Sequence, residues 1–221
     1  MNALQFDPLN IVVCGIGGQG NVLAAEILGT ALTDLGYRVA VGETYGASQR
    51  GGSVMSHVRA AIQDDPSVLI PAGEGHIIIG FEPLETLRIA RKYADHRQTV
   101  IVYDPRPVYP LGVLQGIQSY PAPDAMTAEI RELSVLAIAV PAADLALKSG
   151  DARVANMALL GAFTQLPGAP LTRENLEEIL ARRFQNAALK LNLEAFHLGC
   201  DACDAAIKHQ ANQEQKEGVS G

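Results

Sequence analysis

The chain has no tryptophan, and aromatic residues make up 5% of its 221 positions. A pocket for an aromatic ligand is therefore not expected from this polypeptide alone. It has three cysteines, an odd number, which excludes a disulfide framework and points to a reducing, cytoplasmic setting. No stretch approaches the roughly 20 consecutive apolar residues of a membrane helix. Met1-Asn2-Ala3-Leu4-Gln5-Phe6-Asp7 lacks the basic region and apolar core of a signal peptide. Positive charge is scarce too: 17 Lys and Arg against 24 Asp and Glu leave a formal net charge of −7. That balance argues against a non-specific nucleic-acid binder, which needs a basic footprint. The apolar fraction, 48%, is enough for a core.

What the chain does have is a glycine pattern. Gly15-Ile16-Gly17-Gly18-Gln19-Gly20 follows an apolar run, Asn10 to Cys14, that reads as a buried parallel strand. It precedes a helical pattern with Leu23, Ile27, Leu28 and Leu32 on one stripe, ended by Gly36. In that strand–turn–helix context, backbone N–H groups and a helix start can hold an anionic phosphate. A second dense segment, Tyr45-Gly46-Ala47-Ser48-Gln49-Arg50-Gly51-Gly52-Ser53, follows a short strand over Arg38 to Gly42. In a parallel α/β sheet both segments fall at the carboxyl edge, where ligands bind. The spacing Gly15-x-Gly17-x-x-Gly20 also fits a dinucleotide fingerprint, with Glu43 as the candidate ribose-binding acid. Three readings of the turn stand: NAD or FAD binding, glycines needed only for a tight turn and close packing, and a phosphate or polar-ligand contact at the helix start.

Farther along, strands alternate with helices. Ser53 to Ala61 reads as a strand with Val54, Ser56 and Val58 on one face and Met55, His57 and Arg59 on the other. Gly75 to Phe81 and Thr99 to Asp104 read as buried strands, and Pro83 opens a helix to about Asp95. The proline-dense stretch 105–124 reads as a long irregular connection. A short helix near 125–133, a strand near 135–140, and helices over Asp144 to Lys148 and Val154 to Leu166 follow. Thr172 is a helix cap with Asn175 at the capping-box position. The pattern predicts an α/β fold: a Rossmann-like, mainly parallel sheet with helices on both faces and a helical C-terminal extension. The expected division is a domain over 1–185, a helix over 186–208 and a disordered polar tail over 209–221.

Gly15 to Gly20, the stretch Gly42 to Val54, Ser56-His57-Val58-Arg59 and Asn156-Met157-Ala158-Leu159-Leu160-Gly161-Ala162 together resemble the gamma-type subunit or domain of the 2-oxoacid:ferredoxin oxidoreductases. The likeness spans about residues 10–185, and the Ser48-Gln49-Arg50-Gly51-Gly52 form is most similar to the beta subunit of the indolepyruvate type. The resemblance implies a heteromeric enzyme that decarboxylates a 2-oxoacid oxidatively with coenzyme A. The products are an acyl-CoA, CO2 and reduced ferredoxin. It implies a larger alpha subunit carrying thiamine diphosphate, Mg and 4Fe-4S clusters. Coenzyme A would bind at a shared site, and this chain would bind no cofactor alone. A cluster needs about four thiolates, and three cysteines are present. Gly150-Asp151-Ala152 with Asn156 is the nearest stretch to a thiamine diphosphate motif, and both its third residue and its spacing are wrong. Two alternatives are a stand-alone NAD- or FAD-dependent oxidoreductase and a non-enzymatic assembly module of the same complex.

The residues expected to touch ligand are Gly15, Gly17, Gly18, Gln19 and Gly20 of the first turn and Ser48, Gln49, Arg50, Gly51, Gly52 and Ser53 of the second segment. No catalytic residue and no metal ligand is assigned. His57 reads as a satisfied strand residue, and Cys200-Asp201-Ala202-Cys203 as helix packing or exposed thiols. The connection 105–124 could wrap over a partner or lie as a surface loop. Arg50 supplies a planar donor fork suited to carboxylate or phosphate. Its alternative role is an ion pair with the partner subunit. Arg50→Ala is expected to raise the apparent KM for coenzyme A or 2-oxoacid several-fold (~1 kcal/mol or more) while complex yield on gel filtration holds. Unchanged kinetics would retire the ligand role.

Overall fold

Short runs rich in Val and Ile make the central strands of the sheet. A computed structural model describes residues 4–45 and 52–218. The strands are β1 (Leu9–Ile16), β2 (Arg38–Tyr45), β3 (Ser53–Ala61), β4 (Ile77–Gly80), β5 (Val100–Tyr103) and β6 (Leu136–Ala139). They form one sheet in the order β2-β3-β1-β4-β5-β6. From β1 through β6 the pairing is parallel, whereas β3 is antiparallel to both of its neighbours. The mainly parallel sheet is present, with one correction: the Asn10–Cys14 run is parallel on one side only. The connection 46–52 is too short for a parallel crossover, which takes about a dozen residues, so β3 must return antiparallel. Its two reversals leave β2 pointing the same way as β1. The carboxyl ends of those two strands therefore share one edge.

The helices are α1 (Asn21–Asp34), α2 (Pro83–Tyr93), α3 (Leu111–Leu114), α4 (Pro123–Glu132), α5 (Ala142–Ser149), α6 (Ala155–Phe163), α7 (Arg173–Arg183) and α8 (Asn186–Gly218). Alternation along β1 sends Ile11 and Val13 into one core, with residues of α1 and α5 to α8, and Val12 and Cys14 into another, with residues of α2 and α4. Both faces of the sheet are covered, which is why β4 and β5 are apolar runs buried along their whole length. The connection 105–122 is irregular except for the single turn α3. At α7 the reciprocal cap forms, Asn175 N–H donating to Thr172 Oγ1 and Thr172 N–H to Asn175 Oδ1.

The C-terminal helix departs from expectation. α8 continues past Lys208 to Gly218, so 209–218 is helical where disorder was expected; residues 219–221 lie outside the described residues. The stretch is rich in Gln and Glu and has no proline, which favours a helix. Gln210 Nε2 also donates to the Ala137 carbonyl of the outer strand β6 at 2.9 Å. Among the described residues no helix is long and apolar enough to cross a membrane.

One helix crossing sets up the site. α6 is buried from Asn156 to Phe163, as a helix apolar on all sides must be, and α8 lies against it. Gly161 and Gly199 allow the approach: a Cβ on Gly161 would overlap the Phe196 carbonyl, and one on Gly199 the Ala158 carbonyl. Gly199→Ala is expected to destabilise the chain by about 1–3 kcal/mol, read as a lower urea midpoint. An unchanged midpoint would mean that the crossing can relax.

Candidate functional site

Gly15 is the next-to-last residue of β1, and Gly20 occupies the N-cap position of α1. Between them the chain bends around the side chain of Gln19. Ile16 N–H donates to Gln19 Oε1 at 2.7 Å, and Gln19 Nε2 donates to the Phe81 carbonyl at 2.9 Å. One amide thus ties the end of β1 to the residue after β4, across the point where the strand order reverses. Asn21 Nδ2 adds a bond to the Ile16 carbonyl at 3.3 Å. The packing leaves no room for side chains. A Cβ on Gly15 would lie 2.6 Å from Gln19 Oε1, and one on Gly20, where φ is 84°, would lie 2.5 Å from Asn156 Nδ2. Gly18, with φ 104°, faces open space.

Gly17 N–H donates to the Gly52 carbonyl at 2.9 Å, and Ile16 is paired with Ser53 in the sheet. The end of the second glycine-bearing segment therefore lies against the first turn. The structure gathers Gly15, Gly17, Gly18, Gln19, Gly20, Gly52 and Ser53 at one edge. Ser48, Gln49, Arg50 and Gly51 lie outside the described residues. Gln19 is held differently from a ligand contact: its amide oxygen and nitrogen both serve the turn itself.

Two hollows flank the turn. The first, of about 510 Å³, is lined by Gly17, Gly18, Gly20, Asn21, Leu23 and Arg183 among others. It opens at the start of α1, where no side chain caps the helix and no acidic residue sits in the first turn. Orphan N–H groups and the helix dipole favour an anion there by about 0.3–1 kcal/mol. Arg183 at its rim pairs with Glu26 at 2.6 Å. The second hollow, of about 490 Å³, lies over the ends of β1, β4 and β5, with Gln19, Phe81, Asp104, Arg106, Val108 and Arg153 in its lining. Asp104 is buried and accepts from Arg106 N–H at 3.0 Å and Ala143 N–H at 2.8 Å. Burial outweighs those bonds and raises its carboxyl pKa. Arg106 pairs with Asp144 at 3.6 Å and Arg153 with Asp151 at 2.5 Å. The Arg153 guanidinium holds the Asp151 carboxyl down at about 2.

Sequence reasoning missed these lining residues. Phe81 and Asp104 carried a readable signal, since each directly follows a buried strand and so falls at the carboxyl edge. Arg153 and Arg183 carried none, because only tertiary packing brings them to the turn. The dinucleotide reading loses its acid here. Glu43 sits on β2 opposite Ser56, with β3 between β2 and β1. Two strand spacings, about 10 Å, intervene where a dinucleotide fold sets the acid-bearing strand beside the glycine-bearing one.

The other reactive side chains serve structural roles. His57 is buried, its Nδ1 accepts from Ile70 N–H at 3.2 Å, and burial followed by Lys92 and Arg59 lowers its pKa. Cys14 lies in one core, and Cys200 and Cys203 in the other. All three are buried and unpaired, so the exposed-thiol alternative for Cys200 and Cys203 falls and helix packing stands. Burial raises all three thiols, Cys203 to about 12. Lying on opposite faces of the sheet, they cannot ligate one iron–sulfur cluster. Asp151 N-caps the 3-10 turn before α6, and Asn156 Oδ1 accepts from Met157 N–H at 3.0 Å, so neither is arranged for a thiamine-bound metal. His197 pairs with Glu177 at 2.7 Å. Among the described residues no group of three or more His, Cys, Asp and Glu could hold a metal ion. What the site offers is backbone N–H groups, a helix start and two hollows.

The chain is similar in sequence and fold to known proteins. Residues 10–202 match the pyruvate ferredoxin/flavodoxin oxidoreductase family. The indolepyruvate oxidoreductase subunit IorB of Pyrococcus horikoshii is 36% identical over 196 residues, 87% of this chain and 95% of that one. Among solved structures, the gamma subunit of keto/oxoacid ferredoxin oxidoreductase from Geobacter sulfurreducens has a TM-score of 0.65 at 22% identity, over 90% of this chain and 99% of that one. The 2-oxoglutarate:ferredoxin oxidoreductase of Magnetococcus marinus, solved with 2-oxoglutarate, coenzyme A and succinyl-CoA bound, has a TM-score of 0.67 at 26% identity, over 91% of this chain and 32% of that one.

Removing the Gln19 amide leaves the Ile16 N–H and the Phe81 carbonyl without their partner. Gln19→Ala is expected to lower unfolding stability by about 1–3 kcal/mol, measured by urea denaturation. A loss below about 0.5 kcal/mol, the range of ordinary surface changes, would show that the amide does not hold the turn.

Proposed function

The chain belongs to the pyruvate ferredoxin/flavodoxin oxidoreductase family, and from that premise we propose that it is the accessory, gamma-type subunit of a 2-oxoacid:ferredoxin oxidoreductase acting on indolepyruvate or a related arylpyruvate. The complex would convert 2-oxoacid and coenzyme A into acyl-CoA and CO2, passing two electrons to ferredoxin. Thiamine diphosphate, Mg and 4Fe-4S clusters would reside in a larger alpha subunit, where they supply the carbanion sink and the electron path. The observation that carries this reading is the start of α1 at the glycine turn, uncapped by any side chain, in a chain whose residues 10–202 match this family.

In this reading Gly18, which faces open space, lets an anionic group of coenzyme A or substrate approach the backbone closely, Gly17 and Gly20 keep the turn tight beside it, and the start of α1 orients the anion. Ser48, Gln49, Arg50, Gly51, Gly52 and Ser53 would contact the same ligand. Gly15 and Gln19 would hold the turn's shape, and Phe81 and Asp104 the floor and wall of the neighbouring hollow. The partner subunit would supply the reacting groups and the aromatic pocket that this chain lacks. Three unpaired, buried thiols suit a cytoplasmic location.

The isolated chain is expected to be inert with indolepyruvate, coenzyme A and ferredoxin. Added to the larger subunit, it is expected to restore coenzyme A-dependent ferredoxin reduction, followed by absorbance under anaerobic conditions. Turnover by the chain alone would overturn the reading, and so would full activity of the larger subunit without it.

A further inference from the structure

From Pro107 to Ala122 the chain carries no Asp, Glu, Lys or Arg, although charged residues make up 19% of the sequence. An exposed connection normally draws on charge to stay in water. Here Leu111, Leu114 and Ile117 are 68%, 69% and 74% exposed, and Val108 and Tyr109 are exposed beside them. The segment is also preformed. Val108 N–H, at 3.4 Å, and the Tyr120 hydroxyl both donate to Oε1 of the buried Glu82, which clips the two ends of the segment to the start of α2. Tyr109 meets Tyr120 edge to face, with ring centroids 5.0 Å apart. At the tip, Ile117 and Gln118 N–H groups donate to the Gly112 carbonyl at 2.8 and 3.0 Å. The result is a closed apolar knob on a fixed base.

We propose that the knob 108–120 is the surface by which this chain docks on the larger polypeptide subunit of its complex. The proposal rests on the accessory-subunit reading and names where that subunit is met. An uncharged, apolar, preordered surface is what the desolvated centre of a protein interface requires. A lipid surface would call for basic residues around it, and the segment has none. The knob is continuous with the second hollow, because Val108 belongs to both. A partner seated on the knob down to Val108 therefore reaches the rim of the hollow beside the turn. In the Magnetococcus marinus relative the matching region is part of a much longer polypeptide, so there it is joined directly to further protein.

The test combines Leu111→Ser, Leu114→Ser and Ile117→Ser in the full chain. The partner is the larger thiamine-binding subunit, purified after recovery with the wild-type chain. The triple variant is expected to bind it at least about tenfold more weakly, with the thermal unfolding of the isolated chain unchanged. In the wild-type complex, amide hydrogen exchange over 111–118 is expected to slow. Equal affinity of the variant, or exchange at 111–118 unaltered by the partner, overturns the proposal. A wild-type homodimer that the variant dissolves would assign the knob to a second copy and overturn it as well. If the wild-type chain itself binds no larger subunit, the accessory-subunit reading fails first and takes this proposal with it; the wild-type control separates that case from a wrong docking surface.

Discussion

At the end of β1 the backbone passes through a space with no room for a side chain. Gly15 lies under the Gln19 amide and against Phe81, where an added Cβ would come 2.7 Å from Phe81 Cβ. Gly20 sits with positive φ on Asn156, the first buried residue of α6. The turn is thereby wedged between the end of β4 and the start of α6. Its shape depends on how deeply α6 is set, and that depth depends on the glycine-mediated crossing with α8. Close packing transmits such constraints because protein interiors have little slack. The open N–H groups at the start of α1 are the outward side of an arrangement whose inward side is fully occupied.

The antiparallel strand β3 gives the sheet its particular character. It brings Ser53 opposite Ile16 and Gly52 against Gly17, so the chain returns to the glycine turn immediately after the second dense segment. The same strand pushes β2 and Glu43 outward, away from any ligand lying on the turn. A glycine spacing shared with dinucleotide-binding proteins is here combined with a topology that removes the ribose acid. The spacing serves a tight turn and close backbone approach in both settings, which is why it discriminates poorly between them.

Charge at this edge is largely balanced. Arg183, Arg106 and Arg153 each face a carboxylate, and exposure to water keeps such pairs weak. Elsewhere, buried polar groups are spent on architecture. Arg59 Nε donates to Asn10 Oδ1 at 2.8 Å and Nη1 to the Ser67 and Leu69 carbonyls at 3.0 Å, pinning the loop after β3. His76 accepts from Asn10 N–H at 3.0 Å, and burial, then Arg59, lowers its pKa to about 4. These groups lie toward the amino end of β1, opposite the glycine turn. The architecture and the candidate site thus use different ends of the same sheet.

The sequence by itself determined the element types, the α/β class and the position of the glycine turn. Those features are written in local patterns: apolar runs of strand length, glycine at the bends, and the Thr172–Asn175 cap. It also showed three cysteines, one fewer than the thiolate set that usually holds a 4Fe-4S cluster. Tertiary structure alone decided the direction of β1's second partner, the inward use of Gln19, the displacement of Glu43 and the arrival of Arg153 and Arg183 beside the turn. It also set Gln210 of α8 on the outer strand β6. Each of these depends on contacts between residues far apart in the chain, and neither helical nor strand periodicity records which distant partner a side chain will meet.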